Sequence, residues 1–67
     1  MAVIKTIDLV GVSTESWVDA ADQAVSEATK TLRNVEGFTV LEMSAMVDDN
    51  AVIEFHTHVS VRFRISR

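Results

Sequence analysis

Two histidines, His56 and His58, are the residues of this 67-residue chain whose type and spacing are best suited to ligand chemistry. They stand two positions apart in a segment of alternating apolar and polar residues, so both point to one face of a predicted strand. Their separation along the strand is roughly 7 Å, too long for both to bind one metal ion without ligands from other chains. The remaining alternatives are ligand contact, proton sensing at an interface, and a purely polar role on a solvated surface.

Catalysis by these histidines is not indicated. Ser60 shares their face, but neither a nucleophile elbow nor an oxyanion loop precedes it, as a Ser–His–acid triad would require. The sequence also lacks cysteine, which removes thiol catalysis, disulfides and Cys-ligated zinc. The sequence therefore predicts a protein that is not an enzyme.

Three other features are weaker candidates for binding. Asp48, Asp49 and Asn50 form an oxygen-rich segment, but calcium takes about six to eight oxygen ligands, so the segment predicts a solvated hairpin turn and no metal site. Residues 11–13 precede a predicted helix, where anions bind, yet a single glycine does not make a phosphate-binding loop. Trp17 is expected in the core or at an interface rather than as a stacking platform.

The histidines belong to segment 51–65, around which the other predicted elements are arranged. Its odd positions are apolar or threonine and its even positions are polar except at Val52, a pattern typical of a β-strand with one buried face. Such a strand spans roughly 50 Å. A compact domain of this size is about 28 Å across. The strand must therefore bend around another element or extend onto a neighbouring copy.

The preceding residues complete a β-α-β-β order. Residues 2–10 predict a first strand ended by Gly11, and Ser13 is expected to cap the following helix. From residue 14 to about residue 34 the apolar residues recur with the helical period, and residues 35–37 are expected to end the helix. Residues 38–47 predict a second strand with two apolar faces. The apolar helical stripe is largely alanine and consists of Trp17, Val18, Ala21, Ala24, Val25, Ala28 and Leu32.

The arrangement of these elements follows from their order. Placing the third strand between the other two makes every strand pair antiparallel. The predicted fold class is therefore α+β, with a three-stranded antiparallel sheet curled around one helix. Alanine side chains allow the sheet to approach that helix closely. A single domain over residues 1–67 is expected, because the chain is too short for a second one.

Composition favours an oligomer. A lone core of this size is marginal, and with 48% hydrophobic residues and no disulfide, oligomerisation is the remaining means of stabilisation. The net charge of −4 argues against a nucleic-acid partner. Arg62, Arg64 and Arg67 follow all the acidic residues and predict either a solvated tail that complements neighbouring subunits or an anion site. No segment reads as a membrane span or a signal peptide, so no membrane partner and a cytoplasmic location are expected.

The order of elements, together with several positions, resembles the dodecin family over essentially the whole chain. The resemblance is carried by residues 8–13 (DLVGVS), Ala20, Ala21, Ala24, Asn34, Val35 and residues 59–65 (VSVRFRI). It implies a homododecamer, a hollow sphere of twelve subunits with two-fold and three-fold axes. It also implies flavins (FMN or riboflavin) bound in pairs near the two-fold axes, each stacked on a Trp and hydrogen-bonded by a Gln, for storage or photoprotection rather than turnover.

Two positions depart from this family pattern. Gly37 stands where the resemblance places the stacking Trp, and His56 stands where it places the Gln. The expected cofactor-binding residues are therefore His56, Gly37, Phe38 and His58, with His56 donating to a ring carbonyl or a phosphate. The pleat of a strand directs Phe38 away from the face of Gly37.

Three functional possibilities remain open at the level of sequence. One is a cage that binds flavin in an altered mode, and another is a cage for calcium or a phosphate-bearing ligand. The third is a cage with a purely structural role. The Ser16–Trp17 pair at the start of the helix resembles a calcium-binding branch of the family.

Overall fold

The computed structural model describes residues 2–65, which form one helix and a three-stranded sheet. The elements are β1 (Val3–Ser13), α1 (Trp17–Thr31), β2 (Val35–Asp48) and β3 (Ala51–Ile65). The strand order is β1-β3-β2, and both pairings are antiparallel. The predicted fold class, element order and central third strand are confirmed. Arg67, predicted as part of a basic surface, lies outside the described residues.

The sheet is much longer than the helix that covers it. The described chain measures 52 × 19 × 13 Å. α1 has 15 residues and is therefore about 22 Å long. The radius of gyration is 13.8 Å, above the value of about 11 Å expected for a compact chain of this length. The sheet extends past the helix, as the length of segment 51–65 predicted.

The core lies between α1 and the middle of β3. Its buried apolar residues are small: Ala21, Ala24, Ala28, Val59 and Val61, with Ile7, Leu9, Leu32 and Val35 packed partly buried against them. The predicted helical stripe is only partly correct, since Val18 is 72% exposed and Trp17 is 39% exposed. Val18 lies outside the strip of helix surface that the sheet covers, whereas Trp17 is partly exposed although its ring contacts Phe55 of β3.

The prediction that Gly11 ends β1 is wrong, because Gly11 lies inside the strand. The strand continues to Ser13, and Gly11 pairs with Thr57 of β3. A methyl group at this position would overlap the backbone carbonyl oxygen of Ala20 and crowd the side chain of Ala24. Glycine is therefore required by the close approach of helix and strand, and not by a chain break.

The start of the helix also differs from the prediction. Ser16, not Ser13, is the N-cap, and its hydroxyl accepts a hydrogen bond from the backbone N–H of Asp19 at 2.9 Å. The Ser13 hydroxyl accepts from the backbone N–H of Glu15 at 2.9 Å and donates to the Asp19 carboxylate at 2.6 Å. Both serines thus stabilise the same turn, which is why sequence alone did not distinguish them.

The end of the helix comes earlier than predicted. α1 ends at Thr31, and residues 35–37 already belong to β2. The helix stops at its C-cap Leu32, which has an extended backbone (φ −103°, ψ 143°). Asn34 has a φ of 61°, a left-handed conformation that asparagine tolerates and that turns the chain toward β2. Its carbonyl oxygen accepts a hydrogen bond from the backbone N–H of Arg64 at 3.0 Å. The chain therefore begins to pair with β3 directly after this residue. Such a long-range contact cannot be predicted from the local periodicity of the sequence.

The predicted hairpin turn is confirmed. Asp49 and Asn50 have φ values of 51° and 63°, as in a two-residue type I′ turn. Asp48 pairs with Ala51 and is the last residue of β2 rather than a turn residue.

Within residues 2–65, no helix has the length and apolarity needed to cross a bilayer.

We predict that Gly11→Ala lowers the free energy of unfolding by about 3 kcal/mol, because the added methyl group meets a backbone oxygen that cannot move by itself. Gly37→Ala is the matched control, since only the flexible Arg62 side chain lies near its new methyl group, at 3.1 Å. Its expected effect is within about 1 kcal/mol. Denaturant unfolding at fixed protein concentration measures both. Equal effects would contradict the close approach at Gly11.

Candidate functional site

The side of the sheet away from α1 carries most of the charged and hydrogen-bonding side chains, and we call it the polar face. Directly paired residues of antiparallel strands point to the same side, so the register assigns its members. Its middle consists of Thr6, Asp8, Val10 and Val12 of β1, Gly37, Thr39, Glu42 and Ser44 of β2, and His56, His58, Ser60 and Arg62 of β3. Ile4 and Arg64 lie at one end, and Met46, Val47, Val52 and Glu54 at the other.

The structure places His56 and His58 next to each other on this face, as predicted. Nε2 of His56 lies 3.1 Å from Oε1 of Glu54, and Nε2 of His58 lies 3.5 Å from Oδ2 of Asp8. Both imidazoles are half-buried. Each ring is therefore oriented by a carboxylate, and each keeps a second ring nitrogen with which to contact a ligand.

Gly37 and Phe38 lie on opposite sides of the sheet. Gly37 pairs with Arg62 on the polar face, whereas Phe38 pairs with the buried Val61 and points to the helix side. Phe38 there lines a cavity of about 170 Å³ together with Trp17, Val18, Ala21, Asp22, Val40, Met43 and Thr57. The expectation that the pleat separates these two neighbours agrees with this arrangement.

One chain does not bring the four predicted cofactor-binding residues together. The β3 residue beside Gly37 is Arg62, six positions from His56, which is roughly 20 Å along a strand. His56 and His58 form one group, Gly37 lies toward the other end of the polar face, and Phe38 lies on the helix side. A ligand shorter than this span can contact residues of both kinds only between two chains.

All four large aromatic side chains lie on the helix side. The sequence contains one Trp, three Phe and no Tyr. Trp17 packs edge-on against Phe55 with ring centroids 4.8 Å apart, and Phe38 and Phe63 pair with residues of the same side. Within residues 2–65, a flat ligand ring on the polar face could therefore stack only on the imidazoles of its two histidines or on the guanidinium groups of its arginines.

Trp17 connects the start of α1 to two strands. Its indole N–H donates to the backbone carbonyl of Ser44 at 2.8 Å, and its own carbonyl accepts from the Thr57 hydroxyl at 2.8 Å. Thr57 is 1% exposed. The sequence predicted a core or interface position for Trp17 but missed these two hydrogen bonds, because the partners lie far away in the chain.

The two arginines of the polar face differ in their partners. Arg64 forms an ion pair with Glu36, with Nη2 and Oε2 3.1 Å apart. Arg62 has no carboxylate within ion-pair distance among residues 2–65. Its guanidinium lies against Gly37, where the missing side chain leaves room for it. The sequence indicated both arginines as part of a basic surface, but the contact between Arg62 and Gly37 follows only from the strand register.

A search for metal ligands gives no cluster in the described part of the chain. Among residues 2–65, no group of three or more His, Asp or Glu side chains is close enough to hold one ion.

Comparison with known proteins places these features in context. Residues 3–66 match the family model described as Dodecin. The chain is 32% identical over 65 residues to "Calcium dodecin" of Mycobacterium tuberculosis, covering 97% of this chain and 92% of that protein. It is 35% identical over 63 residues to "Dodecin" of Thermus thermophilus, covering 94% and 91%. A crystal structure of a mutant of the T. thermophilus dodecin superimposes with a TM-score of 0.94 at 33% identity, over 100% of both chains.

We predict that Thr57→Val destabilises the protein by about 1 kcal/mol, because it removes the buried hydrogen bond from the Thr57 hydroxyl to the Trp17 carbonyl while preserving side-chain volume. Thr31→Val makes the same chemical change at an exposed position and is expected to alter stability by less than about 0.5 kcal/mol. Thermal unfolding of both variants at one protein concentration tests this. A Thr57→Val variant as stable as the control would contradict the role of this hydrogen bond.

Proposed function

This chain belongs to the dodecin family, and we propose that it is a cytoplasmic binding protein that assembles as a homododecamer and sequesters flavin (FMN or riboflavin). We further propose that the flavin site is an altered one and serves storage rather than turnover. The chain contributes no catalytic residue to it.

The observation that carries this proposal is the division of the predicted ligand residues between two ends of the polar face. His56 lies roughly 20 Å, and His58 roughly 13 Å, along β3 from Arg62, the residue paired with Gly37. Two copies that pack with their polar faces together and their β3 strands antiparallel would bring one end of each face against the other end of its partner. The ligand would then lie between chains, with His56 donating to a ring carbonyl or a phosphate.

Assembly is supported by the distribution of apolar surface. Among the described residues, the buried apolar core consists of four alanines and two valines, while fifteen large apolar side chains are exposed. An isolated monomer of this size with so small a core is marginal. Apolar surface exposed to this extent is typical of a subunit interface.

The site would differ from a flavin site built on Trp. With Gly37 on the polar face and Phe38 on the helix side, the flavin ring would contact imidazole or guanidinium groups. Neither group is a good electron donor to an excited flavin, whereas indole is. Flavin would therefore be held without the strong quenching that a stacked Trp provides.

Calcium binding is the second candidate, favoured by two observations. The M. tuberculosis relative, 32% identical, is named calcium dodecin, and carboxylates lie beside both histidines, at Asp8 and Glu54. Calcium takes about six to eight oxygen ligands, which is more than a single polar face brings together. Such a site would draw ligands from several copies. Two further alternatives to flavin are another phosphate-bearing ligand and a cage that binds no ligand.

We predict that the protein binds FMN and that His56→Ala weakens this binding about tenfold, the loss expected for one good hydrogen bond. Thr29→Ala, on the exposed side of α1, is the control and leaves the affinity unchanged. The emission of bound flavin is expected to persist in the native protein and to fall in Gly37→Trp, which adds an electron donor. Fluorescence titration measures both affinity and quenching.

The same titration distinguishes the alternatives. Failure to bind either FMN or riboflavin, combined with a melting temperature raised by calcium and lowered by chelator, would replace flavin by calcium. No response to any of these ligands would leave only the structural role.

We predict that Leu41→Glu disrupts the assembly, because it places a charge in the exposed apolar surface of β2. Ser26→Glu introduces the same charge on the exposed side of α1 and is expected to leave the assembly intact. Light scattering coupled to size-exclusion chromatography gives the masses of both variants. Assembly of Leu41→Glu at the native mass would remove this part of β2 from the interface.

A further inference from the structure

Arg62 differs in its surroundings from the other charged side chains of the polar face. It projects from the polar face toward the end opposite the histidines, and its guanidinium occupies the space left by Gly37: Nη2 lies 3.1 Å from where a Cβ of residue 37 would stand. Arg64, two residues further along β3, is paired with Glu36, but Arg62 has no such partner among residues 2–65. The two arginines are therefore electrostatically different.

Three neighbours of Arg62 on the polar face carry hydroxyl groups. Thr6 pairs with it directly on β1, and the adjacent row of the sheet contains Ser60 and Thr39. Hydroxyls and a guanidinium are the donors that recognise phosphate and carboxylate oxygens. The adjacent row also contains Asp8, whose carboxylate lies toward His58 at 3.5 Å.

Packing of two polar faces would make this unpaired cation unfavourable unless an anion accompanies it. Removing an ion from water costs several kcal/mol when no counter-charge replaces the solvent. A solvated Arg62 meets no such penalty in the single chain. A phosphate monoester bound between chains would supply both the opposite charge and acceptors for the planar guanidinium fork.

We propose that Arg62 determines ligand specificity by binding the anionic phosphate of the ligand, so that the site prefers phosphorylated over unphosphorylated flavin. Gly37 contributes by leaving the guanidinium free to lie flat on the sheet. The inference rests on the proposed function for the identity of the ring system, and on Arg62 and its hydroxyl neighbours for the phosphate.

The test compares FMN with riboflavin, which differ only in the phosphate group. Isothermal titration calorimetry of the assembled protein is expected to give at least about tenfold tighter binding of FMN. Arg62→Gln should reduce FMN affinity to the level of riboflavin and leave riboflavin affinity unchanged. Arg62→Lys, which keeps the charge but loses the planar fork, should be intermediate. Arg33→Gln removes the same charge from an exposed position just after the helix, outside the sheet, and should change neither affinity.

Two further measurements keep the test decisive if Arg62→Gln fails to assemble. In the native protein, FMN affinity should fall as salt concentration rises while riboflavin affinity stays constant. Backbone amide NMR signals of Gly37, Thr39 and Ser60 should shift with phenyl phosphate but not with benzyl alcohol.

The outcomes separate this inference from the proposed function. Equal affinities of the native protein for the two flavins, or equal losses for both in Arg62→Gln, would overturn the role of Arg62 and leave flavin binding standing. Absence of flavin binding together with the phenyl phosphate shifts would overturn the flavin function and retain the phosphate site. Absence of both would overturn both.

Discussion

The described chain is 52 Å long, but the helix that covers its sheet has only 15 residues. That helix can bury apolar positions only around the middle of β3, where Val59 and Val61 lie against alanines. The hairpin end of the sheet, with Met46, Val47, Val52 and Ile53, remains exposed. Because burial of apolar surface is the main favourable contribution to folding, a chain with this mismatch would gain stability from contact with other copies. We infer that assembly completes the core rather than merely joining finished domains.

The same mismatch separates the candidate ligand residues. A long straight run of alternating residues gives one continuous polar face, and it carries His56 and His58 toward one end and Arg62 toward the other. A compact domain would have folded these ends together within one chain. Here they meet only if two chains pack in opposite directions. Oligomerisation and ligand binding would thus depend on the same geometric feature, and loss of one would impair the other.

Sequence patterns predicted the elements and their order, because the alternation of β3 and the helical period of α1 are local properties. The errors arose where distant contacts decide. Gly11 resembled a chain break, but its role depends on the carbonyl of Ala20 across the helix–strand contact. The exit from α1 depends on Arg64, which pairs with Asn34 thirty residues away in sequence. For the site, the family resemblance identified Gly37 and His56, but only the strand register places Arg62 over Gly37 and shows how far apart the two ends lie.

Native mass spectrometry of the protein as isolated, at micromolar concentration, tests the central claim most directly. If exposed apolar surface and a divided polar face are completed by other copies, the spectrum will show twelve subunits of 7.4 kDa, and any retained ligand will appear as an added mass on the assembly. A spectrum of monomers or dimers without ligand would contradict the claim, since the chain would then be stable with its apolar surface in water and its ligand residues apart.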